Sequence, residues 1–495
     1  MTVAFSGTRR APDVRLVSWS RRTAFVVSLL PFLLELPSAF AQAQSSLPIK
    51  NFIYIIQENH SFDNYFGTFP GANGIPPGTK LPEYPGGPPV HPVFRQTSPT
   101  TRDISHSWVA SKLAYDNGKM DGFLWAEWPT AERYYGKAIP VPTPDPNLVI
   151  ITPNRTSTKA APVTRTADGQ ILSPLGFVDD EDDAAPDIEE QNRQLNGSAV
   201  IPSATPNPAN RPSYVKNSFS YYDFRMLPNY WDYAMKYTLC DAFFSSILGD
   251  SEPNHLYTVA AQSGGLVFNV NKSETPEFLF PTLIDLLTPA KVTWKYYNAK
   301  TIATQEGVWN PLPAFPTIGT NPLLLGRVVP TTEFYKDLTN GTLPQVCWLV
   351  PHGVQSEHPP QDIRKGMSHV TRLVNAVMQS KYWQTCAIII IWDDSGGFYD
   401  HVPPINVDRF GFGFRVPAIV ISPYSRPGVV VHTTYDMTSP LKLIETAFGL
   451  GSLTGRDAEV NNMLDCFDFT RAPLPSDIIT SDTKFDFSHL TTTTP

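Results

Sequence analysis

The chain has 495 residues, of which 41% are hydrophobic and 12% aromatic, enough for a substantial packed core in one large domain or two to three smaller ones. Only 17% of residues are charged and the formal net charge is -8, with no basic stripe along the sequence, so nucleic acid is excluded as an expected partner.

In chain order, the first feature is a leader. Arg21 and Arg22 precede the apolar run TAFVVSLLPFLLELPSAFA, which closes on small residues. This is the layout of a signal peptide over residues 1–41, cleaved near Ala41 or Ala43. Pro31, Glu35 and Pro37 interrupt the run, which is too short to span a bilayer comfortably. SRRTAF has features of a twin-arginine signal, with Phe25 one place late. The expectation is export, to a periplasm or beyond.

Next comes the apolar run FIYII (residues 52–56), then an abrupt polar turn: Glu58, Asn59 and His60 in ENHSFDNYFG. Proline is abundant, with 49 residues, and is concentrated in two irregular regions, residues 70–99 and about 129–212. The second holds the acidic run DDEDDAAPDIEEQ, which lacks the glycine and spaced glutamate of a calcium-binding loop and reads as a solvated insertion. Between the two lies His106 in DISHSW. FFSSILGDSEPNHLY then places Ser251 ahead of Pro253, Asn254 and His255. Ser251 reads equally as a helix N-cap and as a nucleophile activated beside a metal, with the following amide groups suited to an anion.

Three further apolar runs follow: VCWLV (346–350), AIIIIW (387–392) and VPAIVIS (416–422). Continuous apolar runs of this length suit strands covered on both faces, as in a parallel sheet. Helical patterns lie between and after them, in MSHVTRLVNAVMQS and SPLKLIETAFG. The alternation predicts an α/β sandwich with a mostly parallel sheet flanked by helices, with the Pro-rich segments as loop insertions. The organisation expected is a single catalytic domain over 48–470 and a C-terminal tail over 471–495.

Ligands of open α/β sheets bind beyond the carboxyl ends of the strands. Glu58 and Asn59 stand at one such end, Asp393 and Asp394 at another (WDDSGG), and Glu357 and His358 follow a third (QSEHPP). Each alone reads as well as a cap or a turn. Together they form an oxygen-rich set that suits one divalent cation, and adjacent Asp393 and Asp394 repel unless a cation or donors intervene. Four cysteines, at 240, 347, 386 and 466, allow two disulfides in three connectivities or remain buried thiols. Asn59, Asn154, Asn196, Asn271 and Asn340 head N-x-S/T sequons, relevant only in a glycosylating host.

ENHSFDNYFG, GDSEPNH, QSEHPP, WDDSGGFYDHVPP and FGFRVPAIVISPYSRPG resemble, in order, the motifs of the phosphoesterase family that contains bacterial phospholipases C and a group of acid phosphatases. The likeness covers roughly residues 51–126 and 214–456. It implies an alkaline-phosphatase-like fold and hydrolysis of phosphate esters. It further implies Glu58, Asn59, Asp393 and Asp394 as ligands of one divalent metal. Ser251 would touch the same metal as the nucleophile and form a phosphoseryl intermediate. His106 and His358 would bind phosphoryl oxygens or assist proton transfer, and Asn254 belongs to the phosphate-binding segment. His255 stands where the motif has arginine, so it is expected to strengthen phosphate binding only when protonated, at acid pH. Asp400 and His401 are expected to be structural or to support the ligands. Ser251 replaces a frequent threonine, which leans to an acid phosphatase. The alternatives are a phospholipase C with transient membrane contact, a sulfatase lacking the motif's arginine, or an inactive binding protein.

Overall fold

The structure is a computed structural model and describes residues 44–127, 148–151, 213–270, 275–299 and 308–479. The expected leader, the acidic run, most of the second Pro-rich insertion and the last sixteen positions lie outside the described residues. One eight-stranded sheet organises the body. Its strands are, in chain order, β1 (Asn51–Gln57), β2 (Thr238–Cys240), β3 (Trp294–Ala299), β4 (Val328–Pro330), β5 (Val346–Leu349), β6 (Cys386–Trp392), β7 (Ala418–Ile421) and β8 (Val429–Val431). Across the sheet they lie in the order β4-β3-β5-β1-β6-β7-β2-β8. The pairs β4/β3, β3/β5, β5/β1, β1/β6 and β2/β8 are parallel, while β7 pairs antiparallel with both β6 and β2. The sheet is thus mostly parallel, as expected, with β7 as the one reversed strand. Its apolar run reads like its neighbours' because burial on two faces fixes hydropathy and leaves strand direction open.

The centre of the sheet is also its most apolar part. Every residue of β1 and β6 is buried, and Ile388, Ile389, Ile390 and Ile391 are at most 2% exposed. At roughly 1.5–3 kcal/mol per buried isoleucine, this one strand can fix the polar residues that follow it. Helices cover the faces: α1 (Phe62–Phe66), α2 (Trp108–Tyr115), α3 (Pro228–Lys236), α4 (Ser251–Ala260), α5 (Thr332–Asn340), α6 (Ile363–Met378) and α7 (Ser439–Phe448). The last two match the helical patterns in the sequence.

Two stretches are more ordered than their composition suggests. Leu148–Ile151, inside the Pro-rich insertion, pairs antiparallel with Thr275–Phe278. At the C-terminus, residues 471–479 lie on the body: Trp383 Nε1 donates to the Leu474 carbonyl, Asn375 brackets Ile479, and Ile479 is buried. All four cysteines are buried free thiols.

Candidate active site

The parallel register sets the site. β1 and β6 run side by side, with Gln57 opposite Trp392, so Glu58–Asn59 and Asp393–Asp394 leave the sheet together. Asp393 N donates to the Gln57 carbonyl at 2.9 Å, extending the ladder by one step. Asn59 then turns into the left-handed region with φ of +58°, which asparagine adopts more readily than most residues. Its amide N–H donates to Asp393 Oδ1 at 2.9 Å, and Asp394 N donates to the same oxygen at 2.8 Å. Gly396 N donates to Asp394 Oδ1 at 2.6 Å. Asp393 Oδ2 and Asn59 Oδ1 are buried oxygens left over from these bonds with no hydrogen-bond partner.

The Ser251 segment meets this corner from α4. Ser251 is the first residue of the helix rather than its cap; Asp250 occupies the cap position. Ser251 Oγ lies 3.5 Å from Asp394 Oδ2. One turn on, His255 Nε2 is 2.8 Å from Glu58 Oε1 and 3.8 Å from Asp393 Oδ2. Glu58, Asn59, Asp393 and His255 are fully buried, and Ser251 and Asp394 nearly so. Burial lowers the His255 pKa to about 4, against the pull of Asp393. Burial and the adjacent Asp393 hold the Asp394 carboxyl well above the usual carboxylate range.

Glu58, His255 and Asp393 each offer a ligand atom, all within 4.8 Å of one another. The donor set fits a divalent cation: two carboxylates, a neutral imidazole and leftover buried oxygens. A second acidic group, Asp63, Asp400 and His401, is equally tight but already holds a cation of its own. Arg415 donates from NH2 to Asp63 Oδ1 at 3.0 Å and from Nε to Asp400 Oδ1 at 2.8 Å. His401 Nδ1 sits 2.7 Å from Asp63 Oδ2. Asp400 and the partly exposed His401 thus lie in a network centred on Arg415.

His106 and His358 stand together at the edge of this corner, with ring centroids 5.8 Å apart. Each ties Nδ1 to a backbone carbonyl, that of Ile104 at 2.7 Å and of Pro359 at 2.6 Å. His106 Nε2 meets Asn59 Nδ2 at 3.3 Å. Burial alone would lower the His106 pKa, but Asp394, Asp103 and Asp250 outweigh it and push the group up to about 10.

Two sequence expectations need correction. His255 is not the acid-switched cation expected at the motif's arginine position: it is buried against Glu58 and joins the cluster with Asp393. Its spacing, four residues after Ser251 on one helix face, was the signal that the two work side by side. Asn254 spends its amide on the backbone of its own loop rather than on a ligand. Its Oδ1 accepts from the amides of Ser246 and Ile247, and its Nδ2 donates to the carbonyls of Gly249 and Asp250. It shapes the turn that delivers Ser251. One residue was underweighted: Glu357, buried behind His358, accepts from Gln57, Tyr65, Tyr230 and Trp392. Those donors come from four separate segments, and nothing in the local sequence announces them.

The chain belongs to the phosphoesterase family, whose profile matches residues 49–143 and 153–451. It is a hydrolase acting on phosphate esters. Among curated relatives it is 28% identical to phospholipase C B of Mycobacterium tuberculosis, over 86% of this chain and 79% of that one. It is 24% identical to non-specific phospholipase C4 of Arabidopsis thaliana, over 83% of this chain and 70% of that one. Among solved structures, a protein in the alkaline phosphatase superfamily from Vibrio parahaemolyticus aligns with a TM-score of 0.32 and 14% identity, over 49% of this chain and 64% of that one.

Proposed function

We propose that this chain is an exported, metal-dependent phosphoesterase of the phospholipase C type that uses Ser251 as its nucleophile. The observation that carries the reading is the meeting, in one buried corner, of Ser251 with Asp394 and of His255 with Glu58 and Asp393. The curated relatives named phospholipase C favour a phosphodiester substrate over the monoester of an acid phosphatase. The buried place of His255 removes the argument that tied it to acid activity. Serine at 251 is what still favours the monoester reading.

A divalent cation bound by Glu58, Asp393 and His255, with Asn59 Oδ1 and Asp394 close by, would supply Lewis acidity and offset the carboxylate charge. Ser251 passes its proton to Asp394 Oδ2, 3.5 Å away, and its Oγ attacks phosphorus in line; the Ser–O–P bond forms as the bond to the leaving oxygen breaks. His106 and His358 hold the phosphoryl oxygens and return a proton to the leaving oxygen. Water then cleaves the phosphoserine and restores the hydroxyl.

The test is hydrolysis of a choline phosphodiester and of a chromogenic phosphomonoester from acid to alkaline pH, before and after chelation. The expected result is chelator-sensitive cleavage of the diester, at least about tenfold faster than the monoester, a gap of about 1.4 kcal/mol in barrier. Preference for the monoester would move the chain to the phosphatase reading, and equal rates with and without chelator would overturn the metal.

A further inference from the structure

Away from the active site, two thiols meet across the far side of the sheet. Cys240 ends β2, next to the edge strand β8, and Cys466 ends the one-turn helix Leu464–Cys466 near the C-terminus. Their Sγ atoms are 3.6 Å apart and both residues are fully buried. We propose that Cys240 and Cys466 form a disulfide in the mature protein, and that it is the single disulfide of the chain.

The backbone at both ends is held without help from the thiols. Thr238 Oγ1 donates to the Cys466 carbonyl at 3.0 Å, and Arg426 N donates to the same carbonyl at 3.0 Å. The sulfurs therefore sit in contact on a prebuilt frame. Closing to a bond of about 2.05 Å needs a movement of about 1.5 Å, within reach of small side-chain rotations. No other pairing is open. Cys347 and Cys386 lie on β5 and β6, on opposite sides of β1, so two strand spacings, about 9–10 Å, separate them. Each thiol instead donates to a carbonyl in its own segment, that of Pro344 and of Trp383.

Formation breaks two S–H bonds and makes one S–S bond. Two protons are released, and two electrons pass to a partner disulfide such as oxidised glutathione or a protein dithiol oxidant. The neighbouring Cys466 and burial push the Cys240 thiol far up, which disfavours the attacking thiolate inside the folded protein. The bond accordingly closes while the C-terminal segment docks, before the pair is covered. It ties residues 467–479, which run on over Tyr424, Pro423 and Trp383, to the edge of the sheet. The loop it closes contains Ser251, His255, Asp393 and Asp394.

The test uses the full chain produced in an oxidising compartment, or refolded with a glutathione redox pair. Free thiols are alkylated in denaturant without reduction, and the digest is read by mass spectrometry. Cys347 and Cys386 should be alkylated, and Cys240 and Cys466 recovered in one linked peptide. Reductant should lower the Tm of the wild type by on the order of 5–10 °C and leave that of Cys466→Ser unmoved. Below its Tm the variant should keep the wild-type kcat. Four alkylated cysteines, a link to Cys347 or Cys386, or a wild-type Tm indifferent to reductant would each overturn the proposal.

Discussion

Two side chains at the site invite direct tests. Ser251 is buried, starts a helix and touches Asp394, so it can be shortened without opening a large cavity. Ser251→Ala should cut turnover by about a thousandfold or more and leave the circular dichroism spectrum and Tm close to wild type; retained turnover would remove Ser251 from the mechanism. Glu357 bears on stability instead. Burial raises its pKa from 4.5 to about 7, against the lowering effect of Tyr230, Tyr65, Gln57 and Trp392. Between those two pH values the folded protein keeps a proton that the unfolded chain has lost. Stability from this group is full below about pH 4.5 and falls as pH rises to about 7, by about 3 kcal/mol in all. Glu357→Gln titrates in neither state. Its stability deficit against wild type, measured by denaturant unfolding, should therefore shrink between pH 4.5 and 8; a constant difference would show that the carboxyl does not titrate there.

Elements place these residues, and two glycines show how tightly. After β6 the chain must turn under Asn59, and Gly396 does so with φ of +57°. A Cβ there would lie 2.5 Å from the Asn59 carbonyl oxygen and 2.6 Å from its Cβ. Gly396→Ala should therefore displace the β1 end, costing about 1–3 kcal/mol of stability and at least about tenfold in kcat. Gly451→Ala, where a Cβ meets nothing within 4 Å, is the matched control and should be neutral by both measures. The site thus depends on the β1–β6 register: both strands are long, apolar and buried, and a one-residue slip would turn Glu58 and Asp393 away from each other.

Among the described residues two tight acidic groups stand out, and each has a different answer. Around Asp63 and Asp400 the answer is built into the chain: Arg415, itself fully buried, supplies the cation. Arg415→Met leaves two carboxylates buried without it and should cost about 3–5 kcal/mol, read as a fall in the denaturant midpoint. At Glu58, Asp393 and Asp394 the chain provides His255, which burial keeps neutral, and on the proposed reading the cation comes from solution. Chelation should therefore lower Tm as well as abolish activity, and saturating metal at about 100 times its Kd should restore about 2.7 kcal/mol. An unchanged Tm on chelation would count against a resident ion. Among the described residues no helix is long and apolar enough to cross a membrane.

What the sequence determined by itself was the part written in local pattern. The apolar runs at β1, β5, β6 and β7 announced a buried sheet, and the polar residues at their ends announced where chemistry would collect. Helices α6 and α7 showed their period directly. Only the tertiary structure decided what those residues face. His255 and Asn254 are neighbours in one motif, yet one points at Glu58 and the other at its own loop. The two acidic groups look alike as letters, and the guanidinium that fills one of them arrives from β7's approach, 15 residues beyond Asp400. The reversal of β7, the four donors around Glu357 and the meeting of Cys240 with Cys466 all join segments far apart in the chain. The physical reason is common to them. Hydropathy is a property of each residue and its near neighbours, whereas direction, pairing and charge compensation are properties of the packed whole.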